Sequence, residues 1–422
     1  MSDFVREPHK VPASVDPARE FLRLACLNYG DDHPDRVARA AAMLAAEPGL
    51  AGADVFTMAA TGSADALRAA LASAPALATA EGGPFRWPPL LYLAFSRLPS
   101  GPDGGPFSYG GAFPDSGAFS YGGAFSYGEA ARVLLDHGAD PNAGYLWEGL
   151  CPAFTALTGA FGGGEGDQPP HPDGAELARV LLEAGADPND GQVLYNLGLG
   201  GSWADDPAHL SLLFAYGLGQ GDGGPWRARL DTASPAQLVV DELATAALRG
   251  WPRRTQVLLE HGAEVNGIGG HPLFGGRTAY ELALLHGQVE VASLLREAGG
   301  RAVLSEVEEF VAAAMRGDMG GFAPSVVAAA RAEVPGLVAR AAEHGRVPAV
   351  RVLVGLGFEV DHRDRATALH LAAWNDDAEM VAALLALGAD PGIRDVDHDS
   401  TALGWAEHGG KTRAAAALRG PG

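Results

Sequence analysis

An all-α solenoid of about ten or eleven helix–turn–helix units is the fold class this sequence predicts. Three observations carry that expectation. Residues 365–391, RATALHLAAWNDDAEMVAALLALGADP, hold two short apolar runs at helical spacing: Leu369, Ala372 and Ala373, then Met380 to Leu387. A closely similar ending, two leucines followed two residues later by Gly-Ala and an acidic residue, stands at 134–140, 181–187, 258–264 and 384–390. Finally, each helix carries one apolar stripe and cannot bury it alone, so every helix pair needs neighbours on both sides.

Within 365–391, Thr367 is placed to cap the first helix with its hydroxyl. Asp376-Asp377 breaks the run, and Gly388 ends the second helix where a positive φ costs nothing. Along the chain, 1–16 reads as a disordered N-terminal arm with two prolines, and 17–419 as the solenoid, followed by a short tail at 420–422. A first helix pair at 17–46 has Phe21, Leu22, Leu24 and Ala25 in one stripe and Val37, Ala40, Ala41 and Leu44 in the other; a second pair fills 53–73. The third opens PLLYLA at Pro89–Ala94, but its second helix waits until residue 129, beyond a Phe/Tyr/Gly-rich insert at 101–128. The fourth opens at Thr155 and resumes at 176–189, after an insert at 162–174. A degenerate fifth pair covers 191–217, with a Gly-rich connection around Trp226 behind it. The sixth spans 237–266, the seventh 278–300 and the eighth 306–332, this last without a clear ending. The ninth ends at 350–360, the tenth is 365–391, and the eleventh runs from Ser400 onward.

The form T-x-L-H-x-A-A followed by V-x-x-L-L-x-x-G-A-D resembles the ankyrin repeat, and Thr401 follows Thr367 by 34 positions, near that family's period. The likeness is strong at 129–143, 174–189, 257–266, 278–300 and 365–409, and weak before residue 85. Alanine replaces the motif proline in Thr367-Ala368, Thr278-Ala279, Thr155-Ala156 and Thr401-Ala402. The motif histidine survives only as His370, with Tyr92, Thr158, Glu281 and Gly404 in the equivalent places. In the family the Pro and His pre-set the helix start and tie adjacent loops, so their loss implies looser loops and unequal repeats. The resemblance implies a scaffold that binds another protein, with no catalysis of its own and no cofactor.

Charge narrows the partner. A formal net charge of −22, with Lys10 and Lys411 the two lysines, disfavours nucleic acid and anionic membrane surfaces. No apolar run approaches the roughly 20 residues of a membrane span, and MSDFVREPHK lacks a signal-peptide core. Cys26 and Cys151, far apart, suggest reduced thiols and a cytoplasmic setting.

Apparent catalytic and metal motifs lack their context. HGGKT at 408–412 has Trp405 where a phosphate loop needs its first glycine, and reads as the turn inside the last repeat. AFSYG at 118–122 and 124–128 imitates a nucleophile elbow without strand or helix around it. His286, His344 and His408 end first helices in alternate repeats. At about 10 Å per packed helix those positions lie roughly 20 Å apart, too far to share an ion.

In the family this chain resembles, first helices line a concave groove, and the residues after the Ala-Ala pair face the partner. Here those places hold Leu248 and Arg249, Leu285 and His286, Glu343 and His344, and Trp374 and Asn375, while Tyr145 and Trp147 stand where a hairpin finger is expected. Large, varied residues of this kind suit an interface. Two other functions compete: an inhibitor or immunity-type partner of a basic enzyme, and a small-molecule enzyme with its site in the loops of repeats three to five.

Overall fold

Short helices joined by tight turns dominate the computed structural model, which describes residues 11–30, 35–99, 125–164, 168–201, 204–318 and 321–420. The fold is all-α and ankyrin-like. Its one named sheet among these residues is a two-residue antiparallel hairpin, Gly144–Tyr145 against Phe154–Thr155. The chain divides into two compact units, Met1–Glu242 and Leu243–Gly422. Most of the first expected insert, 101–128, lies outside the described residues, as does most of the expected N-terminal arm.

Helix starts follow from capping chemistry. Asp54, Thr155, Thr278, Ser305 and Thr367 each close a capping box with the residue three positions on, satisfying amides that the first turn leaves unpaired. Ends follow from one backbone device. Gly185 and Gly388 adopt φ of 96° and 93°, and the next amide reaches back five residues: Ala186 to the Leu181 carbonyl at 2.9 Å, Ala389 to the Leu384 carbonyl at 3.0 Å. The same bond recurs at Ala139, Leu218, Ala263 and Phe358. The recurring Leu-Leu…Gly-Ala pattern is therefore a helix-stop signal.

In the first unit, the first helices Val55–Ala60, Pro89–Phe95, Ala156–Phe161 and Gly191–Leu197 pack in succession, and the second helices Ala64–Ser73, Tyr127–Asp136 and Gly174–Glu183 form the neighbouring layer. The core is most aromatic around Pro89–Phe95: Trp87 is wholly buried with ring centroids 4.5 Å from Phe85, 5.3 Å from Tyr92 and 5.0 Å from Tyr145. The low-complexity insert stops earlier than the sequence suggests. Ser126 caps the helix Tyr127–Asp136, and Tyr127 is fully buried, its hydroxyl 3.0 Å from the Leu98 carbonyl. The last FSYG copy is thus the start of a core helix. The connection after the fifth pair also holds a helix, Gly224–Leu230, whose Trp226 donates to the Asn142 carbonyl at 2.8 Å.

In the second unit, Leu337–Glu343, Ala368–Trp374 and Ala402–His408 stack as first helices, and Val347–Gly355, Ala378–Ala386 and Thr412–Arg419 as second helices. HGGKT is the turn inside the last pair: Gly410 has φ 63° and the Lys411 amide bonds the Ala406 carbonyl at 2.7 Å.

The expectation of looser loops at lost motif histidines needs correcting. His370 joins Thr367 Oγ1 at 2.8 Å and the Ser400 carbonyl at 3.0 Å, tying its own helix start to the next loop. Three of its four replacements make comparable ties with other chemistry, Gly404 having no side chain to make one. Glu281 accepts the Val303 amide at 3.0 Å, Thr158 bonds Asp190 at 3.4 Å, and the Tyr92 hydroxyl holds the Gly82 carbonyl at 2.8 Å. The position needs a polar group that reaches a loop, and four side chains meet that need. His370→Ala is expected to cost about 1–2 kcal/mol by stranding the Ser400 carbonyl, read as a lower urea midpoint with unchanged helicity.

Candidate partner-binding surface

The turn after a first helix sits at an end of its repeat, and in the second unit four such turns bring polar side chains together. The helix Pro235–Arg249 ends in Arg249, Ala279–Leu285 is capped by His286, Leu337–Glu343 by His344, and Ala368–Trp374 by Asn375. A carbonyl-rich helix C-terminus favours cations and side-chain donors, so these residue types fit their places locally. Asn375 shows the effect directly, donating to the Glu343 carbonyl at 2.9 Å.

His286 and His344 do not stand roughly two helix spacings apart. Nδ1 of His286 lies 2.8 Å from Nε2 of His344, with the rings edge to face at 4.9 Å. The separation inferred from regular spacing fails because the eighth repeat does not take a full step between them. Its first helix, Glu306–Arg316, packs against Val347–Gly355, the second helix of the following repeat. Gln288 completes the join: its amide nitrogen lies 3.3 Å from His344 Nδ1 and 3.3 Å from the Leu248 carbonyl, and its oxygen accepts from Arg346 at 2.9 Å. Gln288, Arg340 and Arg346 were not singled out in the sequence. A polar residue two places beyond the helix-capping His was the available signal for Gln288 and Arg346.

Burial is the first cause that holds both imidazoles neutral. His286 is pushed down to about 3, with His344 and Arg340 adding to the effect, and His344 to about 4, with Arg346, Arg340 and Arg249 adding. Both folded values lie below the ordinary histidine value of 6.5, so the unfolded chain binds more protons between about 4 and 6.5. The second unit is therefore expected to lose stability as pH falls from 6.5 toward 4, and His286→Gln with His344→Gln to flatten that slope. Urea midpoints measured across this pH range check it.

Other candidates fall elsewhere. Trp374 is 41% exposed, with Lys411 Nζ 5.3 Å from its ring centroid and Trp405 edge-on at 6.0 Å. Glu343 and Asn375 are exposed, while Arg249 is partly buried and feels the Glu343 carboxylate. Leu285 is a correction. It is the last residue of its helix and is buried in the hydrophobic cluster of the second unit with Phe310, Val311 and Leu337. Tyr145 is a second correction. It is 1% exposed and stacks at 5.6 Å on its hairpin partner Phe154, so the finger presents no tyrosine to solvent. Trp147, in the short helical turn Trp147–Gly149, is partly buried beside it.

Among the described residues no group of three His, Cys, Asp or Glu side chains could hold a metal ion, and no helix is long and apolar enough to cross a membrane. The Cys26 thiol is buried, 3.4 Å from the Tyr92 carbonyl, and Cys151 is exposed. Residues 335–418 match the model of the ankyrin-repeat family, in three copies. No curated protein matches the chain.

Proposed function

Because the chain carries ankyrin repeats, generally modules for binding other proteins, we propose that it is a non-catalytic scaffold that docks one partner protein on the helix ends around Trp374. The observation that carries this reading is the exposed Trp374, with Lys411 Nζ 5.3 Å from its ring centroid, beside Asn375, which reaches the Glu343 carbonyl of the preceding repeat. Aromatic and arginine residues dominate interface energetics, and a surface shared among repeats is how such arrays recognise extended partners. The Tyr145 hairpin is left out of the surface by its burial. A soluble cytoplasmic setting accords with one buried and one exposed thiol and the acidic composition.

Affinity purification from the native host tests the proposal. The wild-type chain is expected to retain one protein at near-stoichiometric yield, and Trp374→Ala with Arg249→Ala to lose it. The melting temperature of Trp374→Ala alone should shift only slightly, since exposed substitutions cost about 0.5 kcal/mol or less. A copurifying metabolite with no protein would favour an enzyme instead. Recovery of one basic enzyme, inhibited on binding, would favour the inhibitor or immunity-type role.

A further inference from the structure

We propose that Asn266, with Gly267 behind it, is a site of spontaneous deamidation that reacts when the sixth and seventh repeats part, and whose product loosens their closure. Asn266 is exposed and clamps the loop of the next repeat with both ends of its amide. Nδ2 donates to the Gly299 carbonyl at 3.3 Å, and Oδ1 accepts the Arg301 amide at 2.8 Å. Asn142 makes the same pair of bonds, to the Gly185 carbonyl at 3.0 Å and from the Asp187 amide at 2.8 Å. Asn189 holds the Gln220 carbonyl and the Gly219 amide in a similar manner.

The residue that follows sets Asn266 apart, for this is the one Asn-Gly pair in the sequence. The Gly267 amide donates to the Glu264 carbonyl at 3.0 Å, as the Ala143 amide does to the Asp140 carbonyl at 2.9 Å. One turn serves both places, so the turn itself does not demand glycine. Glycine there has a chemical consequence instead. Its peptide nitrogen has no side chain beside it, and its backbone turns freely enough to bring that nitrogen to the asparagine Cγ. Ala143 and Asp190, which follow the other two clamps, hinder the approach.

In the reaction the Gly267 amide gives its proton to hydroxide, and its nitrogen attacks Cγ of Asn266. The N–Cγ bond forms, the Cγ–Nδ2 bond breaks, and Nδ2 takes a proton from water and leaves as ammonia. Water then opens the succinimide at one of its two carbonyls, giving an aspartyl or an isoaspartyl residue. Asparagine and water become an acid and ammonia, with nothing oxidised or reduced.

In the closed junction every reacting group is engaged elsewhere: Gly267 with Glu264, and both ends of the amide with the next repeat. Turning Cγ toward Gly267 breaks both clamp bonds, so the rate follows the population of the opened junction. The ninth repeat shows what one product can still do. Asp361, in the equivalent place, accepts the Asp390 amide at 3.1 Å but has no N–H to offer a carbonyl. An aspartyl product keeps that accepting half. An isoaspartyl product routes the backbone through Cβ and Cγ and loses both. Hydrolysis does not reverse, so the junction keeps a record of its own opening.

The test incubates the full chain in mildly alkaline buffer without urea, with urea below the unfolding transition, and unfolded, mapping products at each asparagine by mass spectrometry. Conversion at 266 is expected to exceed that at 142 and 189 throughout. It should run at least about tenfold slower in the native chain than in the unfolded one, and rise with urea before the transition. Hydrogen–deuterium exchange at the Arg301 amide should speed up in the aged chain, and less so in fresh Asn266→Asp. Gly267→Ala, a residue the same turn already accepts at Ala143, should keep the Arg301 amide protected while conversion nearly stops. Equal rates in native and unfolded chains, no conversion at 266 below the transition, or unchanged Arg301 exchange after ageing would overturn the inference. Conversion of Gly267→Ala as fast as wild type would overturn it too.

Discussion

Arg97→Ala is expected to destabilise the first unit by about 3–5 kcal/mol, from the cavity it leaves and the carbonyls it strands. The side chain is 1% exposed, and its guanidinium donates to four backbone carbonyls: Ala94, Ser96, Gly159 and Pro169. Those acceptors come from two successive first-helix regions and from the second insert, so one residue fastens the stack and the loop that crosses it. Lysine lacks the five forked donors, and Arg97→Lys should recover only part of the loss. Urea unfolding followed by circular dichroism checks both variants, with an early transition expected for Arg97→Ala. An unchanged midpoint would show that water reaches those carbonyls.

Tyr145→Ala is expected to be nearly as costly, about 3–4 kcal/mol, as for other large buried aromatics. Its ring lies 5.0 Å from Trp87 and 5.6 Å from both Phe95 and Phe154, bridging the hairpin to the aromatic core. Tyr145→Phe should stay within about 1 kcal/mol, because the packing survives. Tryptophan fluorescence gives an independent readout, since removing the neighbour of Trp87 opens that indole to water. A Tyr145→Ala variant that keeps its stability while losing partner binding would return this residue to the interface.

Tyr145 also marks the limit of what the sequence tells. An aromatic in a hairpin after Gly-Ala-Asp-Pro-Asn reads equally as a finger or as a lid on the core, and only the rings packed against it decide. Tyr127 was hidden differently: it stands inside a Phe-Tyr-Gly pattern whose composition masks the helix that begins there. The repeat skeleton was legible because its signals are local. A capping hydroxyl at Thr367, alanines at helical spacing and a glycine at positive φ each act over a few residues.

The site was legible in part. Register after Ala-Ala predicts solvent-facing side chains at Trp374 and Asn375, and both are exposed. The meeting of His286 with His344 was missed, because it depends on how the eighth repeat leans on its neighbour, a tertiary fact with no local signature. Leu285 was misjudged for a related reason. Register places it beside His286, but Leu285 packs into the hydrophobic cluster with Phe310, Val311 and Leu337. The substitutes for His370 were visible as residues, and their equivalence was not, since it rests on which loop atom each can reach.

The most direct measurement of the account is hydrogen–deuterium exchange of the full chain with and without its purified partner. Binding on the helix ends of the second unit predicts slowed exchange at 286–288, 344–346 and 374–376, with the hairpin at 144–155 unchanged. Protection confined to the first unit, or none at all in the presence of saturating partner, would contradict it.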